Sequence, residues 1–457
     1  MARRLAVVGG DAAGMSAAAV ARRRAPADRL EVVAFERGPF TSYAACGLPY
    51  LVADVVPAPE DLVARSPEEH RARGVDVRTD HEVVAVDLSA RRLTVVDRSP
   101  GVAPRELVEP FDELVIATGA TPIRPDLPGV DAHGVHGIQT LSDGIALRRH
   151  VDEHRHAAQR AVVVGGGYIG LEMAEALHIR GLAVTIVEMA PQPMSTLDPD
   201  MGELVAGAIR RLGIELRTGT AVEGFEADGD GHVRGVVTAE GTIPADLVVL
   251  GIGVRPNSAL ARDAGVPVGR TGGIRTDRRM ATPVEGVWAA GDCVETFHRV
   301  SRQPVAIALG THANKQGRVV GTNVTGGRAT FGGVIGTAVT KVCDYEIGRT
   351  GLNEREAGAA GFEHVAATIE ASTRAHYYPG ASPIHVKVVA ERRSGRLLGA
   401  QIIGREGAAK RIDVLAAAVW NEMTVEDFSQ LDLGYAPPFS PVWDPTLVAA
   451  RKAADLL

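Results

Sequence analysis

Cysteine is scarce in this sequence, with three residues in 457 and none of them near another. That spacing excludes a disulfide framework and favours a reducing compartment, so we expect a cytoplasmic protein. No uncharged apolar run reaches the roughly 18 residues that a membrane span needs, and no membrane association is expected. No block of lysine and arginine is present and the net charge is −7, so nucleic acid is not an expected partner. The histidines form no metal-ligand grouping, and we expect no metal site.

Aromatic residues are also few, at 4%, whereas glycine is frequent, with 52 residues and no periodic repeat. This composition excludes collagen and is typical of α/β nucleotide-binding folds, which need many tight turns. The chain is too long for a single core, so we expect two or three domains.

The first glycine-rich motif lies near the N-terminus. An apolar strand, Leu5 to Val8, runs into Gly9-Gly10-Asp11-Ala12-Ala13-Gly14 and an alanine-rich helix, and the next strand ends at Glu36. This order predicts a βαβ dinucleotide unit, with the pyrophosphate at the helix N-terminus and an acid for ribose hydroxyls. Asp11 stands where the motif has its middle glycine, and we expect its side chain to point away from the phosphates.

A second motif matches the pattern in full. Gly165-Gly166-Gly167-Tyr168-Ile169-Gly170 lies between a strand and a helix, and the following strand ends at Glu188. Two copies in this context predict two bound dinucleotides. Glu188 would accept a hydrogen bond from a free 2′-hydroxyl and repel a 2′-phosphate, which favours NADH over NADPH.

Three more strand ends carry small residues, at Ala117-Thr118-Gly119, at Gly253 and at Gly291-Asp292. A carboxylate such as Asp292 can bind a ribityl hydroxyl of a flavin, or it can cap the next helix. From about Thr330 the pattern changes to alternating segments, which indicate antiparallel strands followed by helices. We therefore predict an α/β fold with two Rossmann-like dinucleotide-binding domains and a third, α+β domain at the C-terminus.

Cys46 lies in the run Thr41 to Tyr50, just ahead of an apolar segment, Leu51 to Val56, that we predict to be a short helix. A thiol near the N-terminus of a helix has a lowered pKa and is reactive. Position 51, where a Cys-x4-Cys pair would place its second sulfur, is a leucine. Any redox role of Cys46 is then single-sulfur chemistry, by mixed disulfide, persulfide or sulfenic acid. The alternative is that Cys46 is a small buried apolar residue.

The order of these motifs resembles that of the FAD-dependent pyridine nucleotide-disulfide oxidoreductases, and in particular their single-cysteine branch of coenzyme A-disulfide reductases and NADH oxidases. The run from Ser42 to Tyr50 is similar to the single-cysteine motif of that branch, and the resemblance covers nearly the whole chain. It implies an FAD-binding domain over residues 1–112 and 254–325, an NAD(P)H-binding domain over 113–253, and a dimerisation domain over 326–457. The implied assembly is a homodimer.

The resemblance also implies roles for individual residues. Cys46 would be the redox-active sulfur, and Tyr435 with one of Tyr377 and Tyr378, of which we take Tyr377, would enter the active site of the partner subunit. Substrate contacts are implied at Ser16, Arg23, Ser42 and Asn314. Cofactor contacts are implied at Gly9, Gly10, Asp11, Ala12, Ala13, Gly14, Glu36, Arg37, Ser42, Val83, Ala117, Thr118, Gly119, Gly165, Gly167, Tyr168, Ile169, Gly170, Glu188, Gly253, Gly291, Asp292, Gly310 and Thr311.

Three positions depart from the branch. Ala45 stands where an asparagine is expected, Val20 where a glutamine is expected, and the neighbourhood of Trp443 where a lysine is expected. Each missing polar group would weaken the binding of coenzyme A by roughly 1–3 kcal/mol. The resemblance therefore predicts the redox machinery more firmly than it predicts coenzyme A as the substrate.

Three functions remain open at this point. The first is an NAD(P)H-dependent reductase of a small-molecule disulfide or persulfide, such as coenzyme A disulfide. The second is an NADH oxidase or peroxidase, in which Cys46 cycles through sulfenic acid. The third is a non-catalytic flavoprotein that senses redox state. The run Cys46-Gly47-Leu48-Pro49-Tyr50 favours the first.

Overall fold

The computed structural model describes residues 2–153 and 159–457. A first parallel sheet of five strands carries the N-terminal motif. Its three inner strands are apolar and buried over most of their length, as in a parallel sheet that is covered on both faces. In spatial order the five strands are Val287–Ala289, Glu113–Ile116, Arg3–Val8, Leu30–Phe35 and Asp76–Arg78.

A second five-stranded parallel sheet carries the other motif and has its own core. Its strands are Glu215–Thr218, Ala183–Glu188, Arg160–Val164, Leu247–Leu250 and Val135–Gly137. In both sheets the strand before the glycine loop is central, so the loop emerges at the carboxyl edge between two neighbours. That edge is where open α/β sheets bind ligands.

The predicted domain boundary at residue 113 is displaced. The strand Glu113–Ile116, which the sequence analysis assigned to the second domain, pairs with Arg3–Val8 in the first sheet. The chain leaves the first domain for the second a few residues later, through the strand Ala120–Pro122. It returns to the first domain through Val254–Pro256, which pairs with Ala120–Pro122. The residues of an apolar strand do not show which sheet the strand joins, because its partner strands lie far away in the sequence.

Smaller elements surround the two sheets. Three-stranded antiparallel sheets are formed by His81–Asp87, Arg92–Asp97 and Arg105–Pro110, and by Val222–Ala227, Val233–Thr238 and Gly241–Pro244. A short ribbon pairs Thr296–Phe297 with Pro304–Val305. The helices of this part are Ala12–Arg24, Leu48–Val52, Pro67–Ala72, Leu141–Glu153, Tyr168–Ile179, Pro199–Arg211, Ala259–Asp263 and Gly310–Asn323, with 3₁₀ turns at Ala45–Gly47 and Pro59–Leu62.

The C-terminal region forms a five-stranded antiparallel sheet, as predicted. Its order is Ala338–Val342, Tyr345–Gly351, Leu397–Gly404, Pro383–Glu391 and His364–Ser372. The helices of this region are Glu354–Ala359, Ala408–Trp420, Val425–Ser429 and Pro445–Ala454. The strand Leu397–Gly404 is buried at every position, because helices cover one face and the second domain covers the other.

A buried polar cluster joins the third domain to the second. Lys387 and Gln401, both on the central strands, are 4% and 1% exposed. The Lys387 ammonium lies 2.7 Å from a carboxylate oxygen of Asp200, and Gln401 donates to Asp198 at 2.6 Å. The loop that follows Glu188 is thus anchored to the third domain at its far end, which fixes one wall of the second nucleotide site.

No helix among residues 2–153 and 159–457 is both long enough and apolar enough to cross a membrane. Over the same residues no cluster of three or more His, Cys, Asp or Glu side chains has an arrangement that could hold a metal ion.

Close helix packing holds the first nucleotide loop in place. The helix Gly310–Asn323, called the packing helix below, lies against the helix Ala12–Arg24. At Gly317 a Cβ would come within 2.2 Å of the Ala13 carbonyl oxygen, and at Gly321 within 2.4 Å of the Ala17 carbonyl oxygen. Both glycines permit a backbone approach that any side chain would prevent.

We expect the Gly317→Ala variant to be less stable than the wild type by about 1–3 kcal/mol, because the added methyl group separates the two helices. Helix propensity alone predicts the opposite sign, a gain of about 0.5–1 kcal/mol. Thermal unfolding of the holoenzyme measures the difference. Gly229→Ala is the matched control, since its Cβ meets no atom within 4 Å; equal melting temperatures for the two variants would contradict the packing argument.

Candidate active site

A single cavity of about 1910 Å³ connects the two glycine loops. It is larger than the roughly 300–1,000 Å³ of a site for one drug-sized ligand, which leaves room for two. Cys46 and Asn314 lie on its wall. The predicted cofactor residues that also line it are Gly9, Gly10, Asp11, Ala12, Ala13, Glu36, Arg37, Val83, Ala117, Thr118, Gly119, Gly165, Gly167, Tyr168, Ile169, Glu188, Gly253, Gly291, Asp292 and Gly310.

The two glycine loops share a backbone constraint that only glycine satisfies. Gly9 and Gly165 have φ values of +113° and +103°. A Cβ would lie 2.1 Å from the Ala117 carbonyl oxygen at Gly9 and 2.5 Å from the Gly251 carbonyl oxygen at Gly165. Both loops therefore turn tightly over the neighbouring strand and present a helix N-terminus to the cavity, a geometry that fits a dinucleotide at each.

The last glycine of each motif serves packing and does not line the cavity. A Cβ at Gly14 would lie 2.0 Å from the Gly9 carbonyl oxygen, and one at Gly170 would lie 1.9 Å from the Gly165 carbonyl oxygen. Direct cofactor contact, which the resemblance implied for these two residues, is not what the structure shows. They let the helix begin directly against its own loop.

The acids at the strand ends are held in the same way in both domains. Glu36 accepts hydrogen bonds from the Gly10 and Gly38 amides at 2.7 and 2.8 Å. Glu188 accepts them from the Gly166 and Ala190 amides at 2.6 and 2.7 Å. Each carboxylate thus clamps its own glycine loop at the edge of the cavity. Burial raises the pKa of Glu36, although these amide hydrogen bonds lower it.

Asp292 is placed by residues that sequence reasoning did not single out. The Gly291 amide donates to Gln316 of the packing helix at 2.7 Å, and Gln316 in turn donates to the Thr296 hydroxyl at 2.9 Å. Burial raises the pKa of Asp292 to about 6. The sequence could have indicated Gln316, because the spacing of residues in the packing helix puts it on the buried face.

Hydrogen bonds beside the cavity also join the two segments that connect the sheets. The Thr118 hydroxyl donates to the Asn257 carbonyl at 2.6 Å, and the Asn257 side-chain amide donates back to the Thr118 carbonyl at 3.0 Å. Asn257 lines the cavity as well. This reciprocal pair fixes Thr118 where the two nucleotide sites meet.

Cys46 lies in the 3₁₀ turn Ala45–Gly47, directly before the helix Leu48–Val52. The helix begins three residues earlier than predicted, because Pro49 occupies an early helical position that suits proline. Cys46 is exposed on the cavity wall, whereas Cys293 is fully buried elsewhere. The alternative of Cys46 as a buried apolar residue is excluded by this position.

The predicted lowering of the Cys46 pKa is wrong. Its pKa is raised, first by loss of solvent and then by the negative charges of Glu172, Asp292 and Asp11. The helix that follows has only five residues. Local sequence indicated the helix, but the carboxylates come from three distant segments.

Glu172, on the helix Tyr168–Ile179, is a further residue of the site. Its carboxylate lines the cavity and accepts a hydrogen bond from the Thr340 hydroxyl of the third domain at 2.7 Å. Burial raises its pKa. Glu172 also raises the pKa of Cys46, because a negative charge on the carboxylate disfavours a negative charge on the sulfur.

Ser42 is not among the residues that line the cavity, and its predicted contacts with cofactor and substrate stay a prediction. Its backbone is left-handed, with φ +48°, and its hydroxyl lies 3.0 Å from Nε2 of His70. His70 is buried, which lowers its pKa to about 4 and keeps the ring neutral. Ser42 orients the segment that leads to Cys46.

Of the other predicted substrate residues, Ser16 and Asn314 are in contact with each other. Ser16 donates to the side chain of Asn314 at 2.8 Å, which links the helix Ala12–Arg24 to the packing helix. Arg23 is exposed further along the first of these helices. Thr311 is exposed and lies off the cavity wall, where the prediction had it contact a cofactor.

Tyr435 and Tyr377 lie together, but away from the cavity of their own chain. Both are exposed, at 48% and 66%. A side-chain hydrogen bond with Tyr377 raises the pKa of Tyr435. Tyr378, Phe439 and Trp443 are exposed in the same region of sequence. Within one chain these tyrosines have no part in the Cys46 site.

Comparison with known proteins agrees with this geometry. A family model described as pyridine nucleotide-disulphide oxidoreductase matches residues 3–317, and a model of the dimerisation domain of the same family matches residues 337–445. The chain is 40% identical to the NAD(P)H sulfur oxidoreductase (CoA-dependent) of Pyrococcus abyssi, over 97% of each protein. It is 34% identical to an NADH oxidase of Methanocaldococcus jannaschii, over 99% of each.

A solved structure shows the same architecture. The NAD-dependent persulfide reductase from A. fulgidus is 38% identical to this chain and superposes with a TM-score of 0.94. The match covers 99% of this chain and 83% of that one.

We expect the Glu172→Gln variant to lower the Cys46 pKa, because it removes a negative charge beside the thiol. At a pH below the pKa, lowering the pKa by one raises the thiolate fraction about tenfold. The rate of iodoacetamide alkylation against pH, in a Cys343→Ser background, measures the change. Glu203→Gln, at an exposed helix position, is the control; a profile that stays in place or moves to higher pH would contradict the assignment.

Proposed function

The chain belongs to the pyridine nucleotide-disulphide oxidoreductase family and is an FAD-dependent NAD(P)H oxidoreductase, and on that premise we propose that it reduces a small-molecule disulfide or persulfide through Cys46. One observation carries the proposal. Of the three cysteines, Cys46 lies on the wall of the cavity that both glycine loops share. A single sulfur in that position can relay electrons but cannot form an intrachain disulfide with a neighbour.

The reaction is a two-step thiol–disulfide exchange. The first glycine loop and Asp292 would hold FAD, which would supply the capacity to accept a hydride from NADH and to deliver two electrons to a sulfur. The Cys46 thiolate attacks one sulfur of R–S–S–R, one thiolate leaves with the electron pair of the broken bond, and Cys46–S–S–R remains. Two electrons then cleave this mixed disulfide, which releases the second thiolate and restores Cys46. NADH, one proton and R–S–S–R thus give NAD⁺ and two R–SH.

The surroundings of Cys46 set the proton requirements of these steps. Because its raised pKa favours the thiol, a base must accept the proton of Cys46 before the sulfur attacks, whereas a sulfur released from the mixed disulfide is already a thiolate. We assign the proton for the first leaving thiol to Tyr435 of the partner subunit. Its phenol carries a proton at neutral pH, since the ordinary pKa of tyrosine is about 10 and the hydrogen bond with Tyr377 raises the pKa of Tyr435 above that.

The acceptor is proposed to be a low-molecular-weight thiol derivative. Ser16 and Asn314 form a polar pair at the cavity, and the exposed Arg23 lies further along the same helix as Ser16, which suits a ligand that carries phosphate. The Pyrococcus abyssi relative is named as dependent on coenzyme A. Ala45 and Val20 lack the amides expected of the branch, and for that reason we propose the class of disulfide and persulfide substrates, with coenzyme A disulfide as one member.

A second candidate function is an NADH oxidase or peroxidase. The Methanocaldococcus jannaschii relative carries the name NADH oxidase and matches over the whole chain. In that case Cys46 would cycle between thiolate and sulfenic acid, with oxygen or peroxide as the acceptor.

NADH is the proposed reductant. Glu188 is fixed by two backbone amides at the end of its strand, so its charge cannot turn away from a 2′-phosphate without breaking both hydrogen bonds. Ala190 and Met189, the residues next to it, offer no cation in exchange.

We expect anaerobic NADH consumption that depends on an added disulfide or persulfide and is lost in Cys46→Ser. The panel contains coenzyme A disulfide, coenzyme A persulfide and glutathione disulfide, and it is repeated with NADPH, for which we expect a lower kcat/KM. Cys343→Ser is the matched control and keeps its activity, because that sulfur lies off the cavity. Turnover that needs only oxygen or peroxide would establish the second candidate, and full activity in Cys46→Ser would end both.

The proposed assembly is a homodimer in which each subunit completes the other's site. The dimerisation-domain match covers residues 337–445, which include Tyr377 and Tyr435. Both tyrosines are exposed, as are Phe439 and Trp443. Exposed aromatic side chains are enriched at protein–protein interfaces.

A mixed dimer tests the shared site. If Tyr435 acts across the interface, a dimer of one Cys46→Ser subunit and one Tyr435→Phe subunit contains one intact site and has about half of the wild-type kcat. Differently tagged subunits allow that species to be purified. Activity no higher than that of the Tyr435→Phe homodimer would show that Tyr435 acts within its own chain or not at all.

A further inference from the structure

Asp11 occupies a position that the motif ordinarily gives to glycine, and the second motif supplies an internal comparison. At the equivalent Gly167, a Cβ would meet no atom within 4 Å, so a side chain there would extend into open space. Both residues lie on the wall of the cavity that joins the two loops. Asp11 thus lies on the wall beside the first nucleotide site, where the sequence analysis expected its side chain to point away from the phosphates.

The carboxyl group of Asp11 does not cap the helix that it precedes. Asp11 is the N-cap residue of the helix Ala12–Arg24, but its side chain accepts no capping hydrogen bond. Its Oδ1 atom is buried and has no hydrogen-bond partner among the described residues. Buried polar atoms without partners are rare in native proteins and call for a ligand or another explanation.

The charged side chains that act directly on Asp11 are both negative. Glu36, at the end of the neighbouring strand, and Asp292, on the opposite loop, both act on it and raise its pKa. Arg37 offsets part of the Glu36 charge. The Asp11 charge in turn contributes to the raised pKa values of the Tyr43 phenol and the Cys46 thiol, which lie on the following loop. Burial and Glu36 together raise the pKa of Asp11 to about 7, against the opposing effect of two backbone amides.

The diphosphate of a bound dinucleotide lies at the N-terminus of this helix in a Rossmann-type unit. A second negative charge at the N-cap would repel it, whereas a protonated carboxyl can donate a hydrogen bond to a phosphate oxygen. We propose that Asp11 binds FAD as a neutral acid that donates its proton to the cofactor's diphosphate, so that the protein takes up a proton when FAD binds.

The sign of the pH dependence follows from linkage. FAD binding raises the pKa of Asp11 further, since the phosphates add negative charge. Affinity is then constant below a pH of about 7 and falls about tenfold per pH unit above it, until the pKa of the bound form is reached. The effect concerns the cofactor alone and does not depend on which acceptor the enzyme reduces.

The test measures free FAD in equilibrium with the holoenzyme. Diluted enzyme is equilibrated between pH 6 and pH 9 at fixed ionic strength, and the flavin fluorescence of the ultrafiltrate gives the dissociation constant. The wild type is compared with Asp11→Asn, a neutral donor of nearly the same shape, and with Asp11→Gly, which restores the motif. Thermal unfolding of each holoenzyme confirms that the variants are folded.

We expect the dissociation constant of the wild type to rise by about tenfold per unit above pH 7 and those of both variants to stay flat. At pH 6 the Asn variant binds FAD as tightly as the wild type. Parallel profiles for the wild type and Asp11→Asn would overturn the proposal. Tighter binding by Asp11→Gly than by the wild type at pH 6 would overturn it too, since the carboxyl would then contribute no hydrogen bond.

Discussion

The close approach of each glycine loop to a neighbouring strand carbonyl is the constraint on which the site depends. Gly9 over Ala117 and Gly165 over Gly251 leave no space for a Cβ, and the following helices begin directly at the cavity as a result. Because the same geometry occurs twice, two helix N-termini face one shared space. Everything that the protein does with two dinucleotides follows from that arrangement.

The second constraint is electrostatic. The described part of the cavity wall gathers carboxylates at Asp11, Glu36, Glu172 and Asp292, and burial raises the pKa of each. Their charges add to one another and extend to Cys46. A site built in this way retains protons, which suits the proposed reduction of a disulfide, since that reaction consumes one proton. It also gives a physical reason why an acid at the phosphate loop can be tolerated.

The third domain does more than provide a surface for association. Its strands anchor the loop after Glu188 through Lys387 and Gln401, and its Thr340 bonds Glu172. The walls of the second nucleotide site and of the Cys46 site are therefore fixed partly from the third domain. The aromatic surface around Tyr435 lies on the same domain, so association and the geometry of the site share one framework.

The sequence by itself determined the two glycine loops, their acids, the antiparallel character of the third domain and the place of Cys46 on a turn before a helix, because each rests on spacing over a few residues. Only the tertiary structure decided that Glu113–Ile116 joins the first sheet, that Ser42 turns to His70, and that the Cys46 pKa is raised. Strand partners, burial and neighbouring charges come from segments far apart along the chain, and no local pattern of residues encodes them.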